Sequence, residues 1–431
     1  MDDRPQPGQP DEPDKPERRE QPEESSGSAF PGMPFGGAGF DLSQLMGMLQ
    51  SQGPVNWDVA RQIAAWVAVE GGSERPIDRA AHEQLDELAR AAQTHVVGET
   101  DLPATFAAPL RTVGPQGWAA LHLDALRPVL EALATTLGKA MRKSGPELGE
   151  PEAGEGTPGG APGASPFGPE MLGGVMQKLA PALRGMQAGS MVGYLAQHAL
   201  GRYDLPLPTA DEPSLCFVVQ NIDEFEEAWS LDRADLRFYV AVHEVVHAAE
   251  RSVRWLRDRF VRLSTEYVSA YEVDPSALES RFGSIDPSDP SSLGSMAEDP
   301  NALLGAMQTP RQDEPRRQLQ LLCSVLEGYA DSVLERVGQK LIPSFGQIHE
   351  AMQRHRVERG EAEVFIEGLL GLKLERAHYD QGAAFCAGVI ERAGPQGLNR
   401  LWEAERMLPT PAELAAPGLW LARIELPEDA A

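Results

Sequence analysis

His243, Glu244 and His247 carry the strongest chemical signal in the chain, set within the apolar run from Phe238 to Ala249. Glu244 is the one formal charge in that run, and Arg237 and Glu250 flank it at once on either side. A helix that is apolar almost all round is a buried helix. A carboxylate buried beside two imidazoles costs several kcal/mol, roughly, unless something pairs with them. The spacing suggests the partner. Histidines four apart project from one helical face. Glu244 sits about 100° round from His243, beside that face rather than opposite it. This is the H-E-x-x-H pattern: two imidazoles on one divalent metal, with a carboxylate placed to take a proton from water.

Zinc in such a site needs a third protein ligand, and a carboxylate on a later helix is one standard solution. A helix is expected to open at Asp313-Glu314-Pro315, with a core face running through Leu319, Leu322, Leu326, Ala330 and Val333. Glu327 falls at the edge of that face, about 80° from its centre. Asp331 follows on the same side. Glu327 is therefore the expected third ligand. Asp331 is expected to accept the second ring N–H of His243 or His247, fixing its orientation. Gly328 lets another backbone come close.

The elements that must position these groups read as mainly helical. Ser230 or Asp232 can cap the helix bearing the histidines. That helix is expected to run on through Arg251 to Tyr271, with a kink. Upstream, residues 41–143 show helical periodicity: a short helix from Asp41, one from Val55 to Val67, one over 77–96, and two near 115–123 and 125–142. Helical pattern resumes at Pro169, and the Gly- and Ala-rich stretch 185–200 suits a tightly packed helix. Leu215 to Val219 is the best strand, and Phe217-Val218-Val219 can offer an edge along which an extended peptide lies. Later helices are expected over Ile348–Val357, Val364–Leu374 and Ala383–Ala393, with His349 and His355 exposed. His82, His95 and His122 are isolated and read as structural or exposed.

Other stretches read as unstructured. Residues 1–40 form an acidic, Pro/Gly-rich tail that cannot bury enough surface to offset ordering entropy. Residues 144–166 form a flexible linker and 274–310 a mobile Pro/Ser/Asp-rich insertion. The metal-site part is then 167–425.

The formal net charge is −27, which repels phosphate backbones and anionic membrane, so neither nucleic acid nor membrane is an expected partner. Cys216, Cys323 and Cys386 are odd in number and widely spaced, which fits buried thiols in a reducing cytoplasm rather than a disulfide framework. The N-terminal residues are polar and acidic, unlike a secretory signal, and no apolar run of about 18 is present.

His243-Glu244-x-x-His247 followed by Glu327-x-x-x-Asp331 resembles the gluzincin arrangement of thermolysin-like metallopeptidases, on a longer separation. Further segments extend the likeness. They are Val55-Asn56-Trp57-Asp58, Gly189-Ser190-Met191-Val192-Gly193, Tyr203-Asp204-Leu205-Pro206, Asn221-Ile222-Asp223, Leu326 to Asp331 and Tyr379-Asp380-Gln381-Gly382. Together they resemble a bacterial family of zincin-like hydrolases, often labelled as associated with deazaflavin-coenzyme biosynthesis. The resemblance covers most of residues 41–425. It implies a mainly helical zincin-like fold with a small sheet, and a zinc metalloprotease label.

The expected chemistry is hydrolysis of a peptide or amide, with Zn2+ held by His243, His247 and Glu327, and Glu244 as general base. An oxyanion donor is expected from Leu372–Gly382, with Tyr379 first and His378 second. The alternative is a non-catalytic zincin-like binding or scaffold protein with a structural or vestigial metal.

Overall fold

The computed structural model describes residues 53–106, 108–144, 169–272 and 307–426. The expected tail, the short helix from Asp41, the expected linker beyond Ser144 and the expected insertion before residue 307 lie outside these residues. In chain order come α1 (Trp57–Val67), α2 (Arg79–Val97), β1 (Arg111–Val113), α3 (Pro115–Ala125), α4 (Arg127–Ser144) and α5 (Pro169–Ala196). Then come β2 (Cys216–Val218), α6 (Val219–Trp229), α7 (Arg233–Ser252), α8 (Arg254–Ser269), α9 (Asp313–Leu341) and α10 (Phe345–Val357). The chain closes with α11 (Glu361–Leu370), α12 (Arg376–Asn399), α13 (Pro411–Leu414) and α14 (Pro417–Ile424). The fold is mainly α, as expected, and no helix among the described residues is long and apolar enough to cross a membrane.

Helix α7 lies at the centre. Every side chain from Tyr239 to Arg251 is buried, as the apolar run predicted. It packs against α2, α6, α8, α9 and α10, so helices from both halves of the chain share one core. The Asp232 carboxylate caps it, accepting from the Asp235 N–H at 3.0 Å. Ser230 instead ends α6 in the left-handed region at φ 52°. The expected continuation through Tyr271 is interrupted: Val253 is extended, ψ 106°, and α8 starts afresh after it.

Two close approaches fix how neighbouring helices cross. A Cβ on Gly328 of α9 would stand 2.3 Å from the carbonyl carbon of Gly382 on α12, so the crossing depends on both glycines, as the sequence suggested for Gly328. Gly185, Gly189 and Gly193 of α5 face the backbone of α1 in the same way.

The sheet has two parallel strands, with Arg111 paired to Cys216 and Val113 to Val218. Its second edge corrects one expectation. Phe217 bridges antiparallel to Gly201 on its other side, the Val218 N–H donates to Leu200 O at 2.9 Å, and the Arg202 N–H to Cys216 O at 3.1 Å. The β2 edge expected to receive a peptide at Phe217 and Val218 is therefore occupied by the chain's own segment 200–202.

Candidate metal centre

His243 and His247 project from one face of α7, and their rings approach edge to face at 4.5 Å between centroids. Glu327 comes in from α9. The ligand atoms of these residues all lie within 4.8 Å of one another, and the three residues are 4%, 1% and 4% exposed in that order. The expected set is thus brought together from two helices remote in sequence.

The donors fit a metal ion. His247 Nε2 is buried and makes no hydrogen bond, which is costly for an imidazole nitrogen in the interior. It faces Glu327 Oε1 at 3.9 Å, beyond hydrogen-bond reach. Two donors each about 2.0–2.2 Å from one tetrahedral ion would sit about 3.4 Å apart, so a small closure suffices. Charge points the same way. The carboxyls of Glu250, Glu327 and Asp331 act on one another in this buried network, and a divalent cation would favour their ionised forms. Burial pushes the carboxyls of Glu250 and Glu327 up and holds the His247 ring well below its ordinary value. All three shifts arise from placing charge where water is excluded.

The group that orients His247 is Glu250, whose Oε2 lies 2.8 Å from His247 Nδ1. This corrects the expectation for Asp331. Asp331 instead takes Arg356 Nη1 at 2.8 and 2.9 Å and Gln353 at 3.3 Å. The same guanidinium stands 3.7 Å from Glu327 Oε2, so Asp331 acts on the ligand carboxylate through Arg356 rather than on an imidazole. Glu250 was visible in the sequence at i+3 from His247, the spacing of facing side chains, but reads there as a flanking charge.

Glu244 is wholly buried. Its Oε2 accepts the Arg202 N–H at 2.8 Å and its Oε1 the Tyr203 N–H at 2.9 Å. Burial raises its carboxyl, and His243 and these two N–H groups partly oppose that. A Cβ on Gly201 would meet the Glu244 carboxyl carbon at 2.4 Å, so glycine is needed for the segment to lie there. Helix α3 holds the segment from behind: Trp118 Nε1–H donates to Gly201 O at 2.7 Å, and His122 Nε2 lies 3.1 Å from Arg202 O. His122 is therefore structural, as expected, and burial lowers it to about 4.

Tyr379 is buried in the first turn of α12, where burial and then the Glu327 charge push its hydroxyl up. His378 does not join it, since its Nδ1 accepts the Glu375 N–H at 3.0 Å as part of the helix cap. His349 and His355, expected to be exposed, are both half-buried. Their partners are the Tyr239 hydroxyl at 2.9 Å and Asp204 at 3.1 Å. The three cysteines are buried and unpaired.

A model of the zincin-like metallopeptidase family matches residues 55–421. Among solved structures, the chain is similar to a protein from Chloroflexus aurantiacus described as a "putative hydrolase with a novel fold". The two share 25% identity at a TM-score of 0.54, over 86% of this chain and 99% of that one. Comparison with curated proteins gave no match. With the helices, the buried His243–His247–Glu327 group and most of its length in agreement, the chain belongs to the family of zincin-like metallopeptidases.

Proposed function

We propose that the protein is a zinc-dependent hydrolase of peptide or amide bonds. The reading is carried by the unpartnered, buried His247 Nε2 facing Glu327 Oε1, a pair that a shared cation would satisfy. His243, His247 and Glu327 hold the ion. When bound, zinc supplies Lewis acidity, lowering the pKa of a water to about 7 and polarising a carbonyl. Glu244 takes a proton from the attacking water and passes it to the leaving nitrogen as the C–N bond breaks. Burial raises its carboxyl, the direction that suits a group which must both accept and return a proton. The Arg202 and Tyr203 N–H groups occupy one lone pair on each Glu244 oxygen and keep the carboxylate in one orientation. Glu250 fixes the ring of His247, and Arg356 holds Glu327 against Asp331. Tyr379, the hydroxyl-bearing side chain of the expected segment, serves as the oxyanion donor, and the Glu327 charge acts on its hydroxyl.

The clamp on Glu244, in a centre sealed from solvent, favours a second reading: a structural metal in a binding or scaffold protein. One pair of variants separates the two. Glu244→Ala is expected to keep zinc and lose turnover, and His243→Ala to lose both. Metal analysis of the purified chain and a peptide-library digest with and without chelator provide the readouts. Hydrolysis unchanged in Glu244→Ala rejects the catalytic assignment.

A further inference from the structure

Helices α5, α6, α10 and α11 and the chain just after α5 line a cavity of about 290 Å³ that none of the metal ligands borders. A single water needs only about 10–15 Å³ of such space, so a group of several atoms fits. The rim, at His198, Glu224, Ala228 and Glu358, is exposed, and Leu195, Leu200 and Leu205 give an apolar wall.

Three buried side chains of the lining each keep an oxygen free. They are Asp204, Glu363 and Asn221, which are 8%, 6% and 4% exposed. Asp204 Oδ2 takes the Leu200 N–H and His355 Nε2, both at 3.1 Å, which leaves Oδ1. Glu363 Oε2 accepts the Gly360 N–H at 2.9 Å, which leaves Oε1. Asn221 donates both amide N–H groups, to Ala196 O at 2.9 Å and Ala199 O at 2.8 Å, which fixes its orientation and leaves Oδ1. Among the described residues no hydrogen bond reaches any of these three oxygens. Two of them belong to carboxylates, and the guanidinium of the lining is engaged elsewhere. Arg359 Nη1 stands 3.3 Å from Glu367 and its Nε donates to Arg356 O at 3.1 Å. Buried acceptors of this kind are matched by a cation that brings its own N–H groups. Among the described residues, the only group of three or more His, Cys, Asp or Glu side chains close enough to share a metal ion is the centre already described, which favours an organic cation here. An ammonium carries three donors and no acceptor, and the aromatic ring of Phe225 shares the lining.

We propose that this cavity binds an alkylammonium group such as a lysine side chain, with its stem along the leucines and its ammonium among the free oxygens of Asp204, Glu363 and Asn221. An apolar stem with a charged tip suits a site whose wall is apolar and whose buried oxygens are acceptors. The proposal stands apart from the metal-centre reading and is tested without metal.

The test is calorimetric titration of the full chain in chelator. The probe is Nα-acetyl-lysine methylamide, and the control is Nα-acetyl-norleucine methylamide, which has the same stem without the charge. The net charge of −27 attracts any cation without a site, so the titrations run at about 0.15 M salt, where exposed charges are largely screened. The unmutated chain is expected to bind the lysine probe about tenfold or more tightly than the control, the effect of charged hydrogen bonds. Glu363→Gln and Asp204→Asn keep an oxygen for the Gly360 and Leu200 N–H groups and each remove one charge. Each should weaken the lysine probe about tenfold and leave the control unchanged. Ala228→Trp, on the exposed rim, narrows the mouth without touching the buried oxygens and should weaken both compounds. n-Pentylamine, titrated in parallel, should also bind, and the tighter of the two amines tells a free amine from a lysine within a chain. Equal affinity for the lysine probe and its norleucine control overturns the proposal. So does a lysine preference that survives both Glu363→Gln and Ala228→Trp, which puts the cation elsewhere on the acidic surface.

Discussion

Replacing Glu250 by Gln tests the buried charge logic of the centre with two effects of opposite sign. Glu250 and His247 are fully buried, 2.8 Å apart, and the carboxylate makes the imidazole a better donor to a cation through its other nitrogen. Loss of such an orienting partner weakens metal binding by about 10–100-fold, or about 1.4–2.7 kcal/mol. Without metal the sign reverses. Burial raises the Glu250 carboxyl well above its ordinary value of 4.5, so its ionised form costs stability at neutral pH, and Gln removes that cost. Glu250→Gln should therefore melt higher than the unmutated chain in chelator, yet gain less from zinc. Competition against a chromophoric chelator gives the affinity, and thermal unfolding with chelator or with saturating zinc gives the stabilities. Asp331→Asn is the comparison, since Asp331 engages Arg356 and should change zinc affinity less than Glu250→Gln does. Zinc affinity in Glu250→Gln within twofold of the unmutated value would refute the reasoning.

Further outcomes follow from the same geometry. Carboxyls whose folded pKa is raised, here Glu244, Glu250 and Glu327, stabilise the metal-free protein below their unfolded value and lose that contribution as pH rises through the folded one. His247, held neutral by burial, loses stability in the other direction, as pH falls below about 6.5. Zinc requires the carboxylates ionised and the imidazoles neutral, so the melting-temperature gain on adding zinc should be larger at pH 8 than at pH 5.5, with protons released into a weakly buffered solution on binding. A gain independent of pH contradicts the ligand set. Gly328→Ala should shift the denaturation midpoint down by an amount equivalent to about 1–3 kcal/mol or more, because its Cβ would stand 2.3 Å from the Gly382 carbonyl carbon. An unshifted midpoint means that α9 and α12 do not cross as described.

The ligands were legible in the sequence because helical spacing is local. His243 and His247 share a face by their separation alone, and Glu327 stands out as an acid at the margin of an apolar stripe. What surrounds them was not legible, because it comes from elsewhere in the chain. Asp331 was matched to an imidazole by its i+4 offset from Glu327, but the guanidinium that claims it arrives on α10, 25 residues later. His355 lies between Arg354 and Arg356 and so reads as exposed, yet Asp204, 151 residues earlier, draws it inward. Strand β1 is three residues long, too short for an alternating pattern to show. The segment 200–204 lies just past the helical stretch 185–200, and nothing local reveals that its N–H groups face Glu244.

The contact of Trp118 and His122 with the backbone of residues 201 and 202 has a consequence for heredity. The helices before Ser144 shape the ground on which Glu244 stands, so the two halves of this protein cannot drift apart. A chimera that joined the first half of one relative to the second half of another would have to preserve that backbone handshake. Without it, the glutamate would lose its footing even with every metal ligand intact.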